Sequence, residues 1–279
     1  MSLRRVPPIV LLALLVAAGC GPASPTPVKG RFAVAQGRSL AIDCAGSGTV
    51  TVILEVGYDA AGTAGQWRMA ALRDRLTPAY YVCNYDRANL GRSDPAPKPR
   101  TTGDIADDLA ALLKAAKVPG PYLLVGVSAG GLYVQHYAAR HPDQVVGVLA
   151  MNPQEHVDKL NPVLLPLLTA DERAREQEFQ AGRGKDSTQG IDLTTSARQL
   201  AADGPLRVPL TIMESASECP DGDDTCGKIF AAYTGIHRKL VADAAPGGRY
   251  VQVKARHDLY LDVPDLVSAE IEHLTRAAR

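Results

Sequence analysis

Gly126-Val127-Ser128-Ala129-Gly130 is the stretch that decides how this chain is read. The apolar run Tyr122-Leu123-Leu124-Val125 precedes it and Gly131-Leu132-Tyr133-Val134-Gln135 follows, so the sequence reads strand, tight turn, helix. In that context the pattern G-x-S-x-G describes a serine held at a sharp, strained turn, with its hydroxyl projecting above the edge of a sheet. Side chains at the flanking glycines would collide with the neighbouring strand and helix. A helix starting at Ala129 directs its free N–H groups at any negative charge that develops beside Ser128. Ser128 is thereby a candidate nucleophile.

The regions on either side repeat the strand–helix rhythm. Residues 50–56 form a near-continuous β-branched apolar run, as expected of a strand buried on both faces. Further strands are expected at 31–34, 39–43, 80–85, 145–151, 209–213 and 250–253, and helices at 67–76, 102–117, 228–242 and 267–277. In the 102–117 helix, Ile105, Leu109, Leu112 and Leu113 share one face. This alternation predicts an α/β fold with a mostly parallel central sheet and helices on both faces. The rhythm breaks at about 152–207. There an apolar, proline-interrupted run at 160–168 is followed by a charged helical run at 171–180 and a polar glycine-rich run at 182–190, which reads as a small cap insertion.

The 30 basic and 30 acidic residues balance, which gives no electrostatic reason to expect nucleic acid as a partner. No glycine-rich phosphate loop, dinucleotide fingerprint or metal-spaced histidine pair occurs, so no cofactor and no metal are expected.

Arg4 and Arg5 precede an apolar run at 9–18, a segment too short for a stable membrane span and patterned as a signal peptide over 1–19. Ala17-Ala18-Gly19-Cys20 resembles the lipobox of bacterial lipoproteins. The resemblance implies cleavage before Cys20 and acylation of that cysteine, with the membrane reached by a lipid anchor only; secretion after an ordinary signal peptide is the alternative. Residues 20–30 read as a proline-rich tether and 31–279 as the folded domain. Four cysteines remain after Cys20, which allows three pairings. Cys219 and Cys226 bracket a turn-rich run and suit a local bridge, which leaves Cys44 and Cys83 to pair across neighbouring strands. Disulfides agree with export.

The chain resembles the α/β-hydrolase family over nearly all of its exported length. The resemblance rests on Leu54-Glu55-Val56-Gly57, on Tyr85-Asp86-Arg87 through Gly91-Arg92-Ser93, on the Ser128 turn, and on Arg256-His257-Asp258 ahead of Val263-Pro264-Asp265. It implies the α/β-hydrolase fold and a serine–histidine–acid triad. His257, between the last strand and the last helix, occupies the family's histidine position, although Arg256 replaces the glycine that usually precedes it. A neutral imidazole there can take the Ser128 proton and return it to a leaving group. Glu218 stands where the family usually carries its carboxylate, and Glu214, Glu155, Asp221, Asp223 and Asp224 remain open as alternatives. Asn152 fills the other position at which some members place the acid and cannot be an anion. The resemblance makes the N–H groups of Ala129 and Tyr58 the oxyanion hole and treats Asp86 and Arg87 as braces near the turn. His156 is a second candidate base, whereas His136, His141, His237 and His273 fall on or beside predicted helices and read as packing or surface residues.

The expected activity is hydrolysis of a small-molecule carboxylic ester by an exported enzyme. An aminopeptidase with the same triad is one alternative, since proline-releasing members of the family share the pair Gly130-Gly131. A non-catalytic exported binding protein on the same scaffold is the other. The spacing of residues does not encode acyl-chain length or oligomeric state.

Overall fold

The computed structural model describes residues 25–58, 68–183, 189–216, 219–220 and 222–276. The signal peptide, Cys20, Trp67, Glu218 and Asp221 lie outside the described residues. Eight strands form one sheet: β1 (Val28–Ala33), β2 (Ser39–Gly46), β3 (Thr51–Glu55), β4 (Tyr81–Asp86), β5 (Tyr122–Val127), β6 (Val145–Met151), β7 (Leu210–Ser215) and β8 (Tyr250–Val253). Their order is β1-β2-β4-β3-β5-β6-β7-β8. β1 and β2 pair antiparallel, β2 lies antiparallel to β4, and the remaining pairs are parallel. β1 begins at Val28, inside the stretch read as tether.

The described helices are α1 (Ala70–Leu76), α2 (Thr102–Ala115), α3 (Ala129–Arg140), α4 (Val157–Leu167), α5 (Ala170–Gln180), α6 (Leu193–Asp203), α7 (Asp224–Asp243), α8 (Leu259–Asp262) and α9 (Pro264–Arg276). Alternate residues of the central strands serve opposite faces, the two-residue period of a strand. Val52, Leu54, Leu123 and Val125 pack with Leu72 and Leu76 of α1 and with Val267, Ile271 and Leu274 of α9. Ile53, Leu124 and Ile212 pack on the other side with Leu109 and Leu112 of α2 and Val134 and Tyr137 of α3. Both faces of the central strands are therefore covered, and both consist of apolar side chains.

Helix α2 starts on a reciprocal cap. Thr101 Oγ1 accepts from Asp104 N–H at 3.1 Å while the Asp104 carboxylate accepts from Thr101 N–H at 2.8 Å. Cys44 and Cys83 are direct cross-strand partners on β2 and β4 and form one disulfide; Cys219–Cys226 forms the second.

Among the described residues between β6 and β7 there are three helices, where the sequence reads as an irregular cap. α4 runs through Pro162 and Pro166. An interior proline removes a helix hydrogen bond at about 3 kcal/mol or more, and the burial of Val157 and Leu160 is the packing that offsets it. α6 has no counterpart in the expected elements. Asp192 caps it by accepting from Thr195 N–H at 2.8 Å, and Gly204 follows its last residue at φ 78°. Leu193, Ala197 and Leu200 turn toward Ile105, Leu132 and Tyr133, joining the cap to the sheet's helical layer.

Candidate active site

Ser128 sits between β5 and α3 at φ 55°, ψ −128°, a backbone region that a non-glycine residue occupies only under constraint. The constraint is local crowding. A Cβ at Gly126 would lie 2.4 Å from the Gly130 carbonyl oxygen, and one at Gly130 would lie 2.4 Å from the Glu55 carbonyl oxygen. The turn is pinned by Ser128 N–H donating to Met151 O at 2.9 Å, and by Gly131 and Gln154 N–H donating to Ser128 O at 2.8 and 2.9 Å. Ala129, buried, is the first residue of α3, so its N–H belongs to the unpaired set at that helix start.

The end of β3 approaches the turn closely. A Cβ at Gly57 would lie 2.8 Å from Ser128 Cβ and 3.3 Å from Ser128 Oγ. Arg87 holds this segment in place. Its buried guanidinium pairs with Glu55, donates to Val56 O at 2.6 Å and to Gly57 O at 2.8 Å, and lies 4.8 Å from the centre of the Tyr133 ring. The Tyr85 hydroxyl donates to the other Glu55 oxygen. Asp86 shapes the loop beyond β4, accepting from Arg92 N–H at 3.1 Å. Tyr58 is thus set beside the serine by a fixed carbonyl scaffold. Its ring packs edge-on against Phe179 at 6.0 Å, and burial pushes its phenol up to about 12, so it stays neutral.

Ser128 and His257 line the same cleft, of about 360 Å³, together with Asn152, Glu155, Glu214, Ser215, Phe230, Tyr233, His237 and Arg256. Their side chains are not hydrogen-bonded to each other, and among the described residues no carboxylate bonds the His257 ring. The loop carrying His257 is nevertheless tied down. Asn152 Nδ2 donates to His257 O at 2.8 Å and to Ser215 Oγ at 2.8 Å, Asn152 Oδ1 accepts from Ser215 N–H at 2.7 Å, and Ser215 Oγ donates to Arg256 O at 3.0 Å. Asn152 therefore braces the histidine loop from the position at which an acid was considered. Arg256, in place of glycine, is held by Asp262 through its backbone N–H at 2.8 Å and its guanidinium at 3.0 Å.

Two of the alternative acids, Glu214 and Asp223, are occupied elsewhere. Glu214 accepts from His237 Nδ1 and Thr234 Oγ1, each at 2.6 Å. Asp223 caps α7 by accepting from Cys226 N–H at 2.9 Å. Glu155 lies in the cleft with burial pushing its carboxyl up to about 7. His156, the second candidate base, is buried beside Gln135, and burial lowers it to about 4. His237 is more than the packing residue expected from its helix: with Phe230 and Tyr233 it forms a stripe on α7 that faces the cleft. The 230, 233, 237 spacing is the signal that could have found it.

A family model described as alpha/beta hydrolase fold matches residues 60–193. The Bacillus subtilis protein YqjL is 32% identical over 108 residues, 39% of this chain and 41% of YqjL. The pimeloyl-[acyl-carrier protein] methyl ester esterase of Chromobacterium violaceum is 39% identical over 87 residues, 30% of this chain and 32% of that enzyme. The chain thus spans well under half the length of these two relatives. Among solved structures, a thermophilic esterase from Thermogutta terrifontis superposes with a TM-score of 0.56 at 17% identity, covering 90% of this chain and 98% of the esterase. Sheet order, Ser128 turn and family match agree that the chain has the α/β-hydrolase fold, as the resemblance in its motifs implies.

Proposed function

We propose that this protein of α/β-hydrolase fold cleaves a carboxylic ester by way of an acyl-enzyme. Ser128 Oγ attacks the acyl carbon while the His257 imidazole takes its proton, then returns it to the departing alcohol. The N–H groups of Ala129 and Tyr58 hold the oxyanion, and water activated by His257 releases the acid. Glu218, which directly precedes the disulfide-bonded Cys219 in sequence, is the acid this reading assigns to His257. The observation that carries the proposal is the backbone of Ser128, at φ 55° on the N-terminus of α3, opening into the same cleft as His257. The similarity to esterases is in keeping with it. The two disulfides favour an oxidising compartment, and export through the 1–19 signal with acylation at Cys20 is part of the same proposal.

Labelling with a fluorophosphonate tests the reading. Wild type is expected to label and Ser128→Ala is not; a folded wild-type protein that fails to label removes it. The non-catalytic binding reading is favoured by one observation, the missing hydrogen bond between Ser128 and His257. Labelling of wild type alone rules that reading out. Apo geometry is often looser than the reacting complex, so the gap itself does not exclude catalysis.

A further inference from the structure

The cleft wall opposite the Ser128 turn carries an acid–imidazole–acid cluster that the proposed hydrolysis does not use. Glu214 binds His237 Nδ1 and Thr234 Oγ1, which leaves His237 Nε2 facing Glu155 Oε1 at 3.4 Å. That nitrogen is buried and has no hydrogen-bond partner. The Glu155 side chain is only 9% exposed, and besides its own backbone N–H it has no cationic side chain bonded to it among the described residues. It follows Gln154, whose N–H is bonded to Ser128 O, so the carboxyl is chained to the nucleophile's backbone and lines the same cleft.

The charges in this wall do not cancel. Two carboxyl groups, Glu155 and Glu214, face a single imidazole, so the wall holds more acids than bases. Among the described residues no lysine or arginine pairs with Glu155 or Glu214. Arg256, at the mouth, is committed to Asp262. A buried, unpaired negative charge is costly, and a ligand that supplies the missing cation recovers that cost. Phe230 and Tyr233 line the same cleft, and aromatic rings attract cations.

We infer that Glu155, with Glu214–His237 behind it and Phe230 and Tyr233 beside it, forms a subsite for an ammonium group of the substrate. The substrate class of the hydrolase is then esters that carry a protonated amine, with Glu155 as a specificity-determining residue. This rests on the hydrolase reading of the same cleft. The subsite should titrate. Burial holds the Glu155 carboxyl up to about 7, and the other groups facing it are His237, Glu214, the Tyr233 phenol, His257 and Arg256. Tyr233 is pushed up to about 12 by burial and stays neutral. Below neutrality Glu155 takes up a proton, and the carboxylate that would meet the ammonium group is lost.

The test uses the full chain and two probes of like shape, benzylammonium and benzyl alcohol, with affinities measured by calorimetry. Near pH 8.5, benzylammonium is expected to bind about tenfold or more tightly than the alcohol, the scale of one charge-assisted hydrogen bond. Glu155→Gln is expected to reduce that ratio about tenfold. In wild type the ratio is expected to shrink toward one near pH 5.5, a readout that needs no variant and stands even if Glu155→Gln misfolds. Equal affinities, binding of neither probe, or a ratio insensitive to both pH and Glu155→Gln overturns the inference. Ser128-dependent turnover of two esters, neutral benzyl acetate and 4-(aminomethyl)benzyl acetate, which carries the ammonium group, is scored separately. Turnover without an ammonium preference overturns the subsite alone; an ammonium preference without turnover removes the hydrolase reading and leaves the subsite.

Discussion

The two walls of the cleft are built from different materials. The Ser128 wall is backbone: a turn at positive φ, glycines with no room for a Cβ, and carbonyl oxygens held by Arg87. The α7 wall is side chain: Glu214, His237, Tyr233 and Phe230 on or beside one helix, with Glu155 facing them. Backbone geometry of the first kind survives almost any ligand and suits chemistry common to many substrates. A wall of titratable and aromatic side chains is changed one substitution at a time, and suits the choice of substrate.

The largest effect expected is at the nucleophile. Under the proposed mechanism Ser128→Ala and His257→Ala should each lower turnover of an activated ester by about 10⁴-fold or more, since the members of a triad act as a unit. A smaller loss at Ser128 would mean that the backbone wall is not where the chemistry happens. Next is the brace beneath that wall. Arg87→Met leaves the Glu55 carboxylate buried without its cation, and loss of one partner of a buried pair costs about 3–5 kcal/mol. Thermal denaturation should show a fall of about 10 °C for a domain of this size.

The disulfides divide between the walls. Cys44–Cys83 lies within the sheet and spans 39 residues, whereas Cys219–Cys226 spans 7 and roots α7. Loop-closure entropy predicts a stability loss of about 4 kcal/mol for replacing the first pair by alanine and about 2 kcal/mol for the second. Activity should follow the reverse order, with the Cys219–Cys226 variant losing more kcat/KM because Glu218, the acid proposed for His257, directly precedes Cys219. Denaturant titration and kinetics on both variants check this, and equal activity losses would erase the contrast between the walls.

The smallest effect is acid sensitivity. His156 and His136 are both held down to about 4 by burial. Between their unfolded value near 6.5 and about 4 the unfolded chain binds the extra protons, so stability is lost as pH falls through that window. Glu155 acts in the opposite direction: its raised value makes the folded state the better proton binder from about 4.5 to about 7. His156→Gln should therefore flatten the decline of Tm with acid, and an unchanged slope would show that His156 is not held neutral by burial.

Much of the backbone wall was legible in the sequence. A strand-forming run, Gly126 to Gly130 and an amphipathic run after it dictate the Ser128 turn from local sterics alone, and both cysteine pairings followed from spacing and parity. The helix α6 was also recoverable in principle, from Asp192, the apolar stripe Leu193, Ala197 and Leu200, and Gly204, but its cues sit in a polar segment with no strand to frame it. The α7 wall was not legible. Glu155, Glu214 and His237 are separated by 59 and 23 residues, and nothing within a helix or strand period relates them. Local rules act over a few residues, through backbone sterics and side-chain periodicity, and so the sequence by itself determined the α/β rhythm and the nucleophile's turn. Which distant side chains share one cleft, and hence that a buried carboxyl faces an imidazole without a cation, depends on how β6, β7 and α7 pack, and only the tertiary structure decided it.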